Sequence, residues 1–426
     1  MKQNCKKIFG RLVDATVDLI EGYPRERFND SMDPLSRILA LPEAEREARG
    51  LLHTPREIFQ QPETWRHTFE KLSRLAPEVE TFLKLAGLRK NPHERPTVFL
   101  VGAGTSDFVG KTLTALLRRR WQTEVCAVPS TDLLMCVGDF VVPGNSYLWI
   151  SFSRSGDSSE GVALLEAALN LRPEINHLIV CCNGDGRMAR AFVDRPNVCR
   201  IILDDEVNDR GLAMTSSFSN MVIAGQCLAH LHDLRLYDPT LDALISAARK
   251  FRPAAAEVTE QLVAEGFSKI CFLGTGPLNG VAVEAGLKVL ELTAGNVFTF
   301  TESFLGVRHG PLSAVDDETL VVGFVSGDAQ RRSYEMDLLE EIREKKLAKA
   351  ILVIAPTSSL EDMKRLAKIG LVLPLEIAVA DYYRPAADVF VGQLLGLFAS
   401  IKLGLKPDAP SPSGAISRVV SKLKIH

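Results

Sequence analysis

The chain has 426 residues, of which 46% are hydrophobic and 24% are charged, as is usual for a folded globular protein. Its 50 Lys and Arg residues against 53 Asp and Glu residues give a net charge of −3. That balance argues against a nucleic-acid-binding surface but allows a local site for a small anion. The chain also has no apolar run of about 18 uncharged residues and no signal-like N-terminus, so we expect a cytoplasmic protein without membrane contact.

Four short apolar runs occur twice, in the same order and at nearly constant spacing. VFLVG at 98–102 is followed by AGTS, and it returns 172 residues later as ICFLG at 270–274, followed by TGPL. Three more runs return 172 or 173 residues later, the last of them loosely: 148–152, 178–182 and 198–203. These runs are too short for buried helices, and most precede small residues and then a helical pattern. The repeat predicts the α/β class, with two tandem domains that each contain a parallel sheet with helices on both faces. One large α/β domain is the alternative.

The repeat divides the chain into six predicted segments. They are a helical extension (1–50), a helical region (51–95), a first α/β domain (96–235), a linker helix (236–267), a second α/β domain (268–405) and an extended, proline-containing tail (406–426). Within the helical region, Pro55, Pro62 and Pro77 each stand where a helix could begin.

In the first copy, the loop after the first strand reads Gly102-Ala103-Gly104-Thr105-Ser106 and opens a helix. Asp107 stands where a dinucleotide fingerprint has its last glycine, and no acidic residue follows at the distance that such a fold needs, so NAD is not expected. Small residues at a helix N-terminus instead allow close approach of an anion, and Thr105 and Ser106 add hydroxyl groups.

The loop after the next strand of the first copy, at 151–160, holds five serines, Arg154 and a glycine. Helix-end N–H groups, hydroxyls and a guanidinium suit a phosphate dianion. The alternative is that Ser153, Ser155 and Ser158 only cap a helix and fill a turn. In the second copy the same loop reads SGDA at 326–329, with fewer hydroxyls, so we expect only the first copy to bind phosphate.

The second copy carries an acid–base pattern in place of the serines. Glu284, Lys288 and Glu291 are spaced i, i+4, i+7 and share one face of a predicted helix over 281–293. An exposed salt-bridged face would give the same spacing, but apolar residues surround these charges, which favours pairing or function. His309 follows on a loop bounded by Gly and Pro, and an imidazole can both donate and accept protons at neutral pH. The eight Cys and eight His residues show no metal-ligand spacing, so no metal or other cofactor is expected.

Together these motifs resemble the sugar isomerase (SIS) domain family, including the isomerase half of glucosamine-6-phosphate synthase. The resemblance implies that Glu291 is the proton-transferring base, that His309 opens the sugar ring and that Lys288 supports the base or the sugar. It also implies a homodimer or higher oligomer, since the synthase takes this histidine from the neighbouring subunit. The resemblance assigns the phosphate to Thr105, Ser106, Ser153, Arg154, Ser155 and Ser158.

A narrower resemblance, from about residue 51 to the end, is to the AgaS group of galactosamine-6-phosphate deaminase/isomerases, also labelled tagatose-6-phosphate ketose/aldose isomerases. It rests on DRGLAMTSS at 209–217, LKVLELTAG at 287–295, the RHGP loop and the tail PDAPSPSGAISRVV. It implies release of ammonia from galactosamine 6-phosphate. The alternatives are an isomerase that releases no ammonia and a non-catalytic sensor. Leu312 departs from the Lys that the group commonly has after RHGP. Expected sugar contacts are Gly104, Arg210, Thr215, Ser216 and Glu284.

Overall fold

The structure is a computed structural model that describes residues 32–357, 360–420 and 424. The predicted N-terminal extension and tail therefore lie partly outside the described residues, at 1–31, 421–423 and 425–426. In the described part of the extension there are two short helices, α1 (Pro34–Ala40) and α2 (Glu43–Ala48). The described part of the tail after Gly404 contains neither helix nor strand.

The first half of the chain forms a five-stranded parallel sheet in the order β2-β1-β3-β4-β5. Its strands are β1 (Thr97–Gly102), β2 (Val125–Pro129), β3 (Tyr147–Ser153), β4 (Asn176–Cys181) and β5 (Val198–Ile202). The second half forms a second parallel sheet, and the order β7-β6-β8-β9-β10 repeats that of the first. Its strands are β6 (Lys269–Gly274), β7 (Phe298–Glu302), β8 (Thr319–Phe324), β9 (Ala350–Pro356) and β10 (Leu371–Leu375). The predicted fold class is therefore confirmed. Each sheet lies within one of the predicted segments, 96–235 or 268–405.

Helices cover both faces of each sheet and connect the two halves. Before the first sheet come α3 (Thr54–Phe59) and α4 (Gln61–Leu85), and between the sheets comes α10 (Asp238–Glu265). The first half contributes α5 (Thr105–Trp121), α6 (Ser130–Phe140), α7 (Ser159–Leu171), α8 (Arg187–Arg190) and α9 (Ser216–Ala229). The second contributes α11 (Pro277–Leu292), α12 (Ala329–Glu344), α13 (Leu360–Ile369), α14 (Pro385–Asp388) and α15 (Phe390–Lys402). Within the described ranges, no helix is both long and apolar enough to cross a membrane.

One prediction about the helices was wrong: Pro77 lies inside α4 rather than at the start of a helix. A proline inside a helix removes one backbone hydrogen bond and is costly. Here Trp65 and Leu72 before the proline and Val79 and Leu83 after it are all buried, so packing holds one continuous helix across it.

A shared hydrophobic core lies between the two sheets. Leu100 of β1 and Ile150 of β3 face it from one side, and Phe272 of β6 faces it from the other. Helices α5 and α11, which each follow the first strand of their half, pack directly against each other. This contact brings the N-terminal half of α5 next to the charged face of α11.

The repeated Gly-x-Gly motif makes the turn from strand to helix possible in both halves. A Cβ on Gly102 would lie 2.3 Å from the backbone of Ser106, and one on Gly274 would lie 2.2 Å from the Leu278 carbonyl. The second glycine of each motif, Gly104 or Gly276, has a positive φ of +55° or +62°. Both positions therefore require glycine, one for close approach and the other for its backbone conformation.

Candidate active site

A cavity of about 440 Å³ opens at the carboxyl ends of β1 and β3. The chain leaves β1 toward β2 on one side, whereas β3 lies on the other side, so the connecting loops diverge and leave a crevice between them. The cavity is lined by residues from both halves of the chain. Among the sequence-predicted residues they are Gly104, Thr105, Ser106, Ser153, Arg154, Ser155, Ser158 and Glu291.

Glu291 is the one group of the acid–base helix α11 that reaches the cavity, and buried partners hold it there. Its Oε2 lies 2.6 Å from Lys288 Nζ, which also donates to Thr105 Oγ1 at 2.9 Å. The Lys288 and Glu284 side chains are fully buried, while that of Glu291 is 24% exposed. The three charges therefore do not form an exposed salt-bridged face. They link α11 of the second half to α5 of the first.

The protonation of this network follows from its burial. Burial raises the pKa of Glu284 to about 8, although Lys288 opposes this shift, and the Oε2 of Glu284 has no hydrogen-bond partner among the described residues. Burial acts to lower the pKa of Lys288, but Glu284 and Glu291 outweigh it and hold that pKa above its ordinary value. At neutral pH we therefore expect a Lys288 cation paired with Glu291, beside an uncharged Glu284.

The serine loop is partly tied into its own turn and partly directed at the cavity. Ser153 Oγ accepts from the Gly156 N–H at 2.9 Å, and Ser155 Oγ accepts from the Asp157 N–H at 3.2 Å. Both hydroxyls can still donate their own hydrogen atoms into the cavity. The turn-filling and anion-binding interpretations are therefore compatible.

Arg154 also lines the cavity, but its guanidinium holds other parts of the chain. Nη1 donates to the carbonyls of Leu212 at 2.9 Å and Gly211 at 3.2 Å, and Nη2 donates to the carbonyl of Arg418 in the tail. Burial lowers the pKa of this guanidinium. In this structure the guanidinium therefore fastens two walls of the cavity to the serine loop.

Six predicted site residues do not line the cavity: Lys288 and Glu284, which are buried beside Glu291, and His309, Arg210, Thr215 and Ser216. His309 is exposed on the loop after β7, and the Arg210 side chain turns to the surface, where Nη2 pairs with Asp205 at 2.6 Å. Thr215 and Ser216 are fully buried at the start of α9, where their N–H groups donate to the carboxylate of Asp209. The N–H groups of these two residues are used to cap the start of the helix, and the residues do not face the cavity.

Several lining residues were missed in the sequence. Ser151 lines the cavity and lies two residues before Ser153 in β3. Because residues two apart in a strand point to the same face, the sequence alone could have indicated that Ser151 belongs to the site. The others carried no such pattern: Ser130 at the start of α6, Leu212 and Met214 in the loop before α9, and 415–420 of the tail.

The equivalent loop of the second half is occupied by the protein's own carboxylate. Asp381 accepts from Ser326 Oγ at 2.5 Å and from the Gly327 N–H at 2.8 Å, and it pairs with Arg331 at 3.2 Å. An internal anion thus takes the place that a phosphate would need. That only the first copy binds phosphate stays a prediction from the sequence.

Several buried carboxyl groups predict that stability falls as the pH rises from about 6.5 to about 8. Burial raises the pKa of Glu57 and Glu284 to about 8 and that of Glu335 to about 7, against an ordinary 4.5. The folded chain keeps these protons over a range in which the unfolded chain has lost them, so unfolding is favoured as the pH increases. The melting temperature at pH 6.5, 7.2 and 8 measures this effect. Glu284→Gln should make the slope shallower, and a melting temperature that rises toward pH 8 would contradict the assignment.

Comparison with known proteins places this chain in a family. No protein-family model matched the chain. The chain is 36% identical over 374 residues to an Escherichia coli protein named D-galactosamine-6-phosphate deaminase AgaS, covering 88% of this chain and 95% of the relative. A crystal structure of tagatose-6-phosphate ketose/aldose isomerase from Escherichia coli superimposes with a TM-score of 0.78 at 33% identity, covering 88% of this chain and 96% of that one.

A more distant structure shares the fold. The C-terminal domain of glucosamine-fructose-6-phosphate aminotransferase from Francisella tularensis has a TM-score of 0.68 at 17% identity, covering 82% of this chain and 96% of that one. The fold and the first of these relatives agree with the resemblance that the motifs indicated. The chain therefore belongs to the AgaS family, and its two sheets are tandem SIS domains.

Proposed function

We propose that this chain is a deaminating isomerase that converts D-galactosamine 6-phosphate to tagatose 6-phosphate and ammonia. The main support for the proposal is that a carboxylate base and hydroxyl groups able to bind an anion line one cavity. Glu291, held by Lys288, opens into the same space as the hydroxyls of the serine loop. A base and an anion site in one cavity suit proton transfer within a phosphorylated sugar. The name of the Escherichia coli relative supports the substrate.

The proposed reaction begins with an open-chain aldehyde. Glu291 takes the proton from C2, which the neighbouring C1 carbonyl acidifies, and gives an enolamine. Return of the proton to C1 leaves an imine at C2. Water adds to this imine, the C–N bond breaks, and ammonia leaves with formation of the 2-keto group. Lys288 orients the carboxylate through its 2.6 Å contact. Hydroxyls of Ser106, Ser153, Ser155 and Ser158 bind the phosphate, which supplies the binding energy that holds the reacting carbons in place.

The proposal includes a homodimer in which the partner supplies the imidazole that opens the ring. His309 is exposed and outside the cavity of its own chain, and β7 is the edge strand of its sheet. Phe298 and Leu305, which flank this region, are 55% and 44% exposed. Exposed apolar groups beside an open strand edge favour association with a second copy. A phosphorylated substrate also fits a cytoplasmic location.

Ammonia release tests the proposal directly. Purified chain is incubated with galactosamine 6-phosphate, glucosamine 6-phosphate and tagatose 6-phosphate, and ammonia and sugar products are both quantified. We expect one ammonia for each ketose 6-phosphate formed, with galactosamine 6-phosphate turned over fastest. Interconversion of plain aldose and ketose phosphates without ammonia would support the isomerase alternative, for which the second Escherichia coli relative is named. Binding without turnover would support a sensor.

A further inference from the structure

The loop between β5 and α9 forms one wall of the cavity although it contains no helix or strand at 208–215. Leu212 and Met214 of this loop line the cavity. Such a wall keeps its shape only if other groups hold its backbone. The loop's carbonyls at Gly211 and Leu212 are held by Arg154, the residue between Ser153 and Ser155.

The N–H groups of the same loop are held from the opposite side by Glu57 of α3. Glu57 Oε1 accepts from the Arg210 N–H at 2.5 Å and from the Gly211 N–H at 3.2 Å, and the residue is only 6% exposed. A Cβ on Gly211 would lie 2.7 Å from Thr54 Oγ1 and 3.0 Å from Glu57 Oε2. The glycine of the DRG sequence therefore allows α3 to approach the loop.

Helix α3 is in turn fixed by the tail. Asp408 accepts from the N–H groups of Thr54 at 2.7 Å and His53 at 3.1 Å, which begin this helix. The carbonyl of Asp408 accepts from the Leu212 N–H at 3.0 Å. Helix, loop and tail thus interlock around the cavity wall, with Glu57 at the contact between helix and loop.

We propose that Glu57 is a positioning residue that fixes the 209–214 loop as a wall of the cavity and thereby sets the affinity for the sugar phosphate. The inference rests on the proposed function. Removing the carboxyl group would leave two loop N–H groups without their acceptor and let the loop leave the cavity. The apparent affinity is then the intrinsic affinity multiplied by the fraction of molecules that have the wall in place. Glu291 and Lys288, on α11, keep their own contacts.

Protonation of Glu57 suggests which variant should preserve its role. Burial, together with the charges of Asp209 in the loop and Asp408 in the tail, raises the pKa of Glu57 to about 8. The hydrogen bonds from the Arg210 and Gly211 N–H groups act in the opposite direction, and Arg154 is a cation close to both Glu57 and Asp209. At neutral pH the group is therefore mostly an uncharged acid that accepts through one oxygen, and a glutamine side chain offers the same acceptor.

The test compares Glu57→Ala and Glu57→Gln with Glu70→Gln, a matched substitution at an exposed position of α4. For Glu57→Ala we expect faster amide exchange in the peptide containing 210–214 and a KM raised roughly tenfold, with kcat within about twofold of wild type. Glu57→Gln should restore most of both, and Glu70→Gln should change neither.

Two outcomes would overturn the inference. One is unchanged exchange at 210–214 in Glu57→Ala, and the other is a fall in kcat and melting temperature with KM unaltered, which indicates a merely structural role. If Glu57→Ala does not fold, Glu57→Met, which keeps the length of the side chain but has no carbonyl or carboxyl oxygen to accept from the loop N–H groups, gives the same comparison. Because amide exchange needs no substrate, absence of turnover in wild type would contradict the proposed function and leave the loop contact testable.

Discussion

Glu291→Gln is expected to lower kcat for ammonia release from galactosamine 6-phosphate by about 10²–10⁴-fold, the usual contribution of a general base. Glutamine keeps the size of the side chain and can still contact Lys288, but it cannot take a proton from C2. The phosphate contacts lie on other elements of the cavity, so KM should change by less than about threefold. Steady-state ammonia assays over a range of substrate concentrations measure both constants.

Isotope exchange isolates the proton-transfer step from the rest of the reaction. In D₂O, the wild-type chain should place deuterium on C1 of the ketose product, because the base exchanges its proton with solvent before returning it. Glu291→Gln should incorporate deuterium about 10²–10⁴-fold more slowly, in step with its slower ammonia release, while its melting temperature stays close to that of wild type. Retained ammonia release by this variant, at more than about a tenth of the wild-type rate, would remove Glu291 from the mechanism.

Sequence reasoning identified eight of the ten strands, those whose apolar runs recur in both halves of the chain. Six of the eight lie inside their sheets, where helices cover both faces and the residues form continuous apolar runs. The other two, β5 and β10, are edge strands, and they belong to the pair of runs that matched only loosely. The two that were missed, β2 and β7, are edge strands. β7, with the sequence FTFTE, is partly exposed along its whole length, so its residues alternate instead of forming an apolar run.

The candidate site was predictable where its residues follow a strand or share a helical face. The loops at 102–106 and 151–160 fall at the carboxyl ends of neighbouring strands, and parallel topology brings such ends together. Contacts between distant segments leave no local pattern. Glu57 reaches Arg210 across 153 residues, and Arg154 reaches Arg418 across 264. For that reason the interlocked wall, and the use of Arg154 to hold it, emerged only from the structure.

The position of His309 leads to the second large prediction, which concerns subunit exchange. If the imidazole acts in the cavity of the partner, His309→Asn should be nearly inactive by itself, with a loss of about 10²-fold or more. Mixing it with equally inactive Glu291→Gln should nevertheless restore activity. One of the two cavities in each mixed dimer then combines a wild-type Glu291 with a wild-type His309, while the other carries both substitutions.

The size of the recovery is set by symmetry. Equal amounts of the two variants, unfolded together and refolded or co-expressed with different tags, give mixed dimers as about half of all dimers, so about a quarter of all cavities are intact. We therefore expect about 25% of wild-type activity in the mixture and about 50% in mixed dimers purified through both tags. Mixed dimers of wild type and the double variant Glu291→Gln/His309→Asn, purified through both tags, serve as the control, since they contain no intact cavity. Recovery that fails to exceed the sum of the separate variants would show that His309 acts within its own chain or not at all, because only an exchange of histidines between subunits can rebuild a complete site from two incomplete ones.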